Sequence, residues 1–267
     1  DIASLVAVPL VGSLLPLAVA RLGDRAVWAS ALAVLVAHAA LVGIVARTAL
    51  AGRVETAVGG IPTPFAIVLV VDPLSVPFLV VTSLTGLAVV GYAGWAGPRS
   101  GRFHCLWLLL VAGVTGVCVT ADLFNLYVFL EISGLAAYAL VATGTGGRAA
   151  LAALKYLLVG TVGATFYLLG VGYAYVATGT LSVAALAPAL SANAGLDGAL
   201  AVTAFALMVV GLAVKMAVFP LHVWKPPAYA AAPVAVTAGL ATLVSTVAAY
   251  AVVRITLSAF TVSFLRA

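Results

Sequence analysis

Charge is scarce in this sequence. Seven Asp and Glu and twelve Lys and Arg together make up 7% of its 267 residues, where a soluble domain carries about 25%. Hydrophobic residues reach 65% and the mean hydropathy is +1.29. That balance excludes an ordinary soluble globular domain and points to a chain buried in a bilayer. The net charge of +5 is scattered, and no basic run or face fits nucleic acid. The excess reads as orientation charge on loops. Cysteine is nearly absent. Cys105 and Cys118 share one apolar run, which excludes a disulfide framework and a CxxC metal or redox motif. No positively charged stretch precedes the first apolar run, so that run reads as a span, not as a signal peptide. The opening residue, Asp1 in place of Met, suggests a trimmed chain.

What is present is a series of apolar runs, each near the roughly 20 residues that cross a membrane. They fall at about 2–20, 26–46, 73–96, 103–121, 122–143, 149–177, 198–219 and 233–257. The reading is an all-α polytopic membrane protein of about eight transmembrane helices. Between the second and third runs, Gly59-Gly60 separates short β-prone stretches. This predicts a hairpin outside the membrane over about 53–72. Between the sixth and seventh runs a short amphipathic or re-entrant helix is expected. Arg21, Arg25, Arg99, Arg102, Arg148 and Lys225 lie on one side; Arg47, Arg53, Arg254 and Arg266 lie on the other. Lys and Arg collect on the cytoplasmic side, which favours an outside N-terminus.

Three ionisable residues fall inside predicted spans: Glu131 in the fifth, Lys155 in the sixth and Lys215 in the seventh. A charge at the centre of a span costs about 2.5–3.5 kcal/mol on insertion scales, so it usually faces a partner or water. One reading is a fixed Glu131–Lys215 ion pair that locks helices together. Lys155, about 9 Å deep by helical rise, could also snorkel to the surface. The other reading is a proton path, because pairing and parting move the proton affinities of both partners.

The stretch "KMAVFPLHVWKPPAYAAAPVAV" places Pro220 five residues after Lys215, followed by Pro226, Pro227 and Pro233. Proline removes a backbone donor, and a helix broken at membrane depth is tolerated where protein or water meets the freed carbonyls. A broken helix beside a buried Lys is a recurring transporter feature. The alternative is an ordinary loop between the seventh and eighth spans. His222, beside the break, is a candidate proton carrier because its ordinary pKa lies near neutrality. His38 and His104 lack the spacing of a haem or metal motif. Ser133, Tyr138, Thr161, Thr165, Ser245 and Thr246 are expected to bond to backbone or across helices. Asp72 and Asp122, at span starts, are expected to cap helices.

The stretches "DLFNLYVFLEISGLAAYALVATG", "AALKYLLVGTVGATFYLLGVGYAYVATGTLSVA" and "GLAVKMAVFPLHVWKPPAYAAAPVAVTA" resemble the proton-translocating antiporter-like subunits. That family is shared by multisubunit Mrp-type cation/proton antiporters and respiratory complex I. "VVDPLSVPFL" is similar to its N-terminal signature, and "NLYVF.E" looks closest to the D-type Mrp subunit. The resemblance implies a fold of fourteen or so helices built on inverted repeats with broken helices. Residues 1–120 would hold the first four helices and the hairpin, 121–257 the incomplete translocation core, and 258–267 a tail. It further implies that Glu131 pairs with Lys215, that Lys155 sits in the same half-channel, and that Pro220 marks the break. Lys225 and Thr246 stand where the family usually carries Leu and a Lys or His, which makes them, with His222, accessory relay candidates. The second repeat is missing, so the chain is either a fragment or completed by a partner. The implied function is proton conduction coupled to Na⁺ or another monovalent cation in a prokaryotic plasma-membrane complex with other membrane subunits. No cofactor and no metal are expected. The rival readings are a complex I or membrane-hydrogenase subunit, a redox subunit with its own cofactor, and a structural scaffold.

Overall fold

The computed structural model describes residues 1–60, 66–192 and 196–260. Among the described residues, seven helices are long and apolar enough to cross a membrane. They are α3 (Asp24–Ala49), α4 (Ser75–Ala96), α5 (Gly101–Val119), α6 (Leu123–Ala142), α7 (Gly147–Thr178), α9 (Leu196–Met216) and α11 (Val234–Arg254). A π-helical turn, Ile255–Ala259, extends α11. Their length and apolar composition fit a bundle that crosses a bilayer.

The first apolar run is the exception to a continuous helix. It forms α1 (Ala3–Gly12) and the four-residue α2 (Leu15–Ala18). Pro16 has no N–H to donate back to Gly12 and its ring crowds that carbonyl. The chain tightens there, with Leu14 N–H reaching Val11 and the Ser13 hydroxyl donating to Leu10.

The hairpin forms as expected from β1 (Val54–Ala57) and β2 (Val68–Val71), antiparallel with Val54 opposite Val71. The connecting residues 61–65 lie outside the described residues, as do 193–195 between the short α8 (Val183–Ala192) and α9, and the tail beyond 260. The hairpin is tied to the bundle. Ala121 N–H donates to Val68, and Leu69 bridges Thr120. The 120–122 link in turn bonds the start of α8, with Leu123 N–H to Leu181 and Val183 N–H to Ala121. This network gives the orphan N–H groups at the starts of α6 and α8 backbone partners.

α5 is the axis of the bundle, with nearly every residue from Phe103 to Val119 buried. Ser100 and Asp122 cap α5 and α6 by accepting from Phe103 and Asn125 N–H. The Asp122 cap is as expected. Asp72 likewise accepts from Ser75 N–H at the start of α4, but it has a second partner. Arg254, at the end of α11, donates through Nη1 and Nη2 to its two carboxylate oxygens at 2.6 and 2.8 Å. Arg254 also donates to the Tyr250 hydroxyl, which donates to the Cys118 carbonyl. Arg254 is therefore a buried clamp between α11, α4 and α5, and not a solvated loop charge.

Candidate functional site

α9 stops at Met216 for readable reasons. Pro220 cannot donate, and the residue before a proline is pushed out of the helical region. Ala217 turns into the left-handed region at φ 60°, and Val218 N–H bonds back to Ala213 in place of the helical partner. The chain resumes helical structure at α10 (Lys225–Ala231) and, after Pro233, at α11. The Val214 carbonyl, which takes a tightened i+3 bond from Ala217 N–H, also accepts from the indole Nε1 of Trp224 at 2.9 Å.

Lys215, itself buried, therefore sits in the last turn of α9, just before Val218, Phe219 and Pro220 come to the surface. The carbonyl end of the helix favours a cation there. Its Nζ donates to Glu131 Oε1 of α6 at 2.7 Å, within the range of a charge-assisted bond. The Lys215 side chain is 9% exposed and that of Glu131 22%, so the pair is largely shielded and one end remains open. Behind it lies a cavity of about 10 Å³, lined in part by Ser133, Gly134, Tyr138, Tyr156 and Trp224. That is the space about one water centre needs.

The wall of the cavity is aromatic. Tyr156 stacks on Trp224 at 4.0 Å with planes 3° apart, and Tyr138 meets Tyr156 edge-on at 4.5 Å. Glycines let the backbones close in. A Cβ on Gly160 would collide with the Tyr138 hydroxyl, and one on Gly163 would lie 2.8 Å from Val214 Cβ. α7 and α9 thus approach closely enough to hold Lys215 against α6.

The predicted site residues separate into groups. Glu131 and Lys215 meet. Lys155 lies on an exposed face of α7 with no ion pair or hydrogen bond among the described residues, while its neighbour Tyr156 points inward. Lys225 donates to Ser245 Oγ of α11 at 2.8 Å and lies 5.3 Å from the Tyr229 ring centre. It is a second cation beside the break, facing a hydroxyl and a ring. His222 is half-buried near Phe219, and its Nδ1 has no hydrogen-bond partner among the described residues. Thr246 lines a separate narrow cavity with Thr82 and Cys118. Pro220 is exposed at the break.

Ser133, Thr161 and Thr165 bond to the backbone of their own helices, as expected. His38 is buried with Thr115 Oγ1 at 3.1 Å and Ser83 Oγ at 3.2 Å on its two ring nitrogens. Among the described residues no three His, Cys, Asp or Glu side chains gather as a metal site. Sequence reading missed the Val214–Trp224 bond, although a Trp shortly after a proline-broken apolar helix is a usable signal.

Several known proteins resemble the chain. It is 50% identical over 203 residues to NADH-quinone oxidoreductase subunit N of Desulforudis audaxviator, covering 74% of this chain and 40% of that protein. It is 39% identical to the D-type subunit of a probable K⁺/H⁺ antiporter of Rhizobium meliloti, covering 76% and 38%. It is 34% identical to the D-type subunit of a Na⁺/H⁺ antiporter of Bacillus subtilis, covering 80% and 44%. The chain thus spans about two fifths of the length of these relatives. In the solved Mrp complex from Dietzia sp. DQ12-45-1b, one chain superposes with a TM-score of 0.85 at 32% identity, covering 95% of this chain and 48% of that one. Residues 120–265, which carry α6, the broken α9 and α11, match the family model described as NADH:quinone oxidoreductase/Mrp antiporter, TM. The chain belongs to that family of antiporter-like membrane subunits.

Proposed function

We propose that this chain carries a proton-conducting half-channel of a multisubunit cation/proton antiporter, with Na⁺ or another monovalent cation as the coupled ion. The observation that carries this reading is the Lys215–Glu131 contact at the broken end of α9, beside a water-sized cavity. Lys215 holds and releases the proton, and Glu131 sets its affinity by pairing and parting. Burial without a partner disfavours a charged Lys, and pairing favours it. Opening the pair therefore releases a proton. A potential of 100 mV acts on one charge with about 2.3 kcal/mol, comparable to a pKa change of one to two units, so modest movements of the pair suffice for coupling.

Lys225, with His222 beside it, extends the path from the break, and Lys155 extends it from the exposed face of α7, with Thr246 an outlying candidate. Other membrane subunits complete the route. The test is proton-coupled transport in vesicles from the assembled complex carrying Glu131→Ala or Lys215→Ala. Both are expected to lose transport, and undiminished transport in both sinks the relay.

The 50% identity to a subunit named for NADH-quinone oxidoreductase supports a second reading, in which redox chemistry elsewhere drives the same relay. Copurification separates the two: peripheral iron–sulfur subunits favour the redox-driven pump, and small antiporter subunits favour the exchanger.

A further inference from the structure

Away from the relay, at the end of the bundle opposite the hairpin, the start of α3, the end of α4 and the start of α5 line a further cavity, open to the surface. Its volume is about 520 Å³, within the range of small-molecule sites. Asp24, Arg25, Trp28, Gly94, Arg99 and His104 line it. Two cationic side chains and one carboxylate share the lining, and neither Arg25 nor Arg99 forms an ion pair among the described residues. Trp28 is fixed as a wall by its Nε1 donating to the Val90 carbonyl at 2.9 Å. Trp95, 82% exposed, and Tyr92 stand at the same end of α4, where aromatic side chains mark the membrane–water boundary.

His104 adds a directional signal. Its residue is fully buried, and its Nε2 has no hydrogen-bond partner among the described residues. Its Nδ1 lies 3.0 Å from the Ser100 carbonyl oxygen. A carbonyl only accepts, so Nδ1 must donate. In the neutral ring Nε2 is then an acceptor, and a buried acceptor without a donor is costly. The cavity therefore asks for an anion against the two arginines and a hydroxyl donor for the imidazole, at headgroup depth.

We propose that this cavity binds an anionic phospholipid whose phosphate is esterified to a hydroxylated alcohol. Arg25 and Arg99 hold the phosphate, His104 Nε2 accepts from the headgroup hydroxyl, and Trp28 and Trp95 flank the glycerol region. The site is at the end of the bundle that the Lys and Arg distribution places on the cytoplasmic side, where anionic lipids give the surface its negative potential.

The experiment uses the assembled complex, exchanged into equimolar phosphatidylglycerol, phosphatidylmethanol and phosphatidylcholine, with retained lipid counted by native mass spectrometry. Phosphatidylglycerol is expected to be retained over both others, and phosphatidylmethanol, which lacks the hydroxyl, over phosphatidylcholine. The Arg25→Gln/Arg99→Gln variant should retain about 30-fold less phosphatidylglycerol, the factor that corresponds to about 1 kcal/mol for each of the two basic side chains. Arg21→Gln/Arg102→Gln, whose side chains do not line the cavity, should retain it as the parent does. His104→Phe should keep the preference for anionic lipid and lose that for the hydroxylated headgroup.

Equal retention of phosphatidylglycerol and phosphatidylcholine by the parent complex overturns the proposal. So does an equal loss in the Arg21/Arg102 variant, which would mean diffuse surface charge. Displacement of the lipid by inorganic phosphate at millimolar concentration would assign the cavity to a soluble anion and overturn the lipid. An unchanged headgroup preference in His104→Phe overturns the role of His104.

Discussion

The Trp224 indole donates to the carbonyl of Val214, the residue immediately before Lys215. The stretch of chain that leaves the broken helix thus returns to fasten it, one residue from the buried cation. Trp224→Phe keeps a ring to stack on Tyr156 and removes only the donor. The Val214 carbonyl then keeps only its bond from Ala217 N–H, so losing the indole bond should cost about 0.5–1.5 kcal/mol, read as a lower melting temperature of the purified complex. Transport should fall as well, because the end of α9 no longer holds Lys215 in one place.

The Glu131–Lys215 pair predicts a non-additive result. Removing one partner leaves an uncompensated buried charge, which typically costs about 3–5 kcal/mol. Glu131→Gln and Lys215→Met should each destabilise the complex by an amount of that order. The double variant should be less destabilised than the sum of the two, as measured by a thermal double-mutant cycle. Strict additivity would show that the two side chains do not interact in the membrane.

Gly160 tests the close approach of α7. Its added methyl would meet the Tyr138 hydroxyl and then the ring behind it. Gly160→Ala should cost about 1–3 kcal/mol, the usual range for overpacking. Adding Tyr138→Phe should recover part of the loss, because the hydroxyl goes and the ring carbon 2.8 Å away remains. Thermal unfolding of both variants checks the order.

The Asp72–Arg254 clamp predicts a pH dependence. Burial pushes the Asp72 carboxyl up, but the hydrogen bonds and charge of Arg254, with the Ser75 bonds, outweigh it and hold the group below its ordinary 3.8. A carboxyl held low in the fold contributes stability that is full above its unfolded value and is lost as pH falls through the folded one. Asp72→Asn should therefore be less stable than the parent near neutrality. The gap should close as the pH drops below about 4, as followed by melting temperature against pH.

Much of this protein was legible residue by residue. The bilayer core forces each crossing segment to satisfy its own backbone, so hydropathy alone located the long helices, and the Gly59-Gly60 signal located the hairpin. Buried charge is expensive enough that Glu131 and Lys215 stood out without any structure. Pro220 announced the break because its chemistry is local. The same locality explains a near miss, since Pro16 carries the same signal and interrupts the first run, where hydropathy averages over it.

What the sequence by itself determined is therefore whatever depends on one segment and its solvent: the spans, the hairpin, the break, and which charges are costly. What only the tertiary structure decided is whatever depends on two helix faces meeting. Hydropathy cannot rotate a helix about its axis, because an apolar residue is equally at home against lipid or against a neighbour. Packing turned Tyr156 inward and Lys155 outward, brought Arg254 to Asp72 and Lys225 to Ser245, and set Arg25, Arg99 and His104 around one cavity.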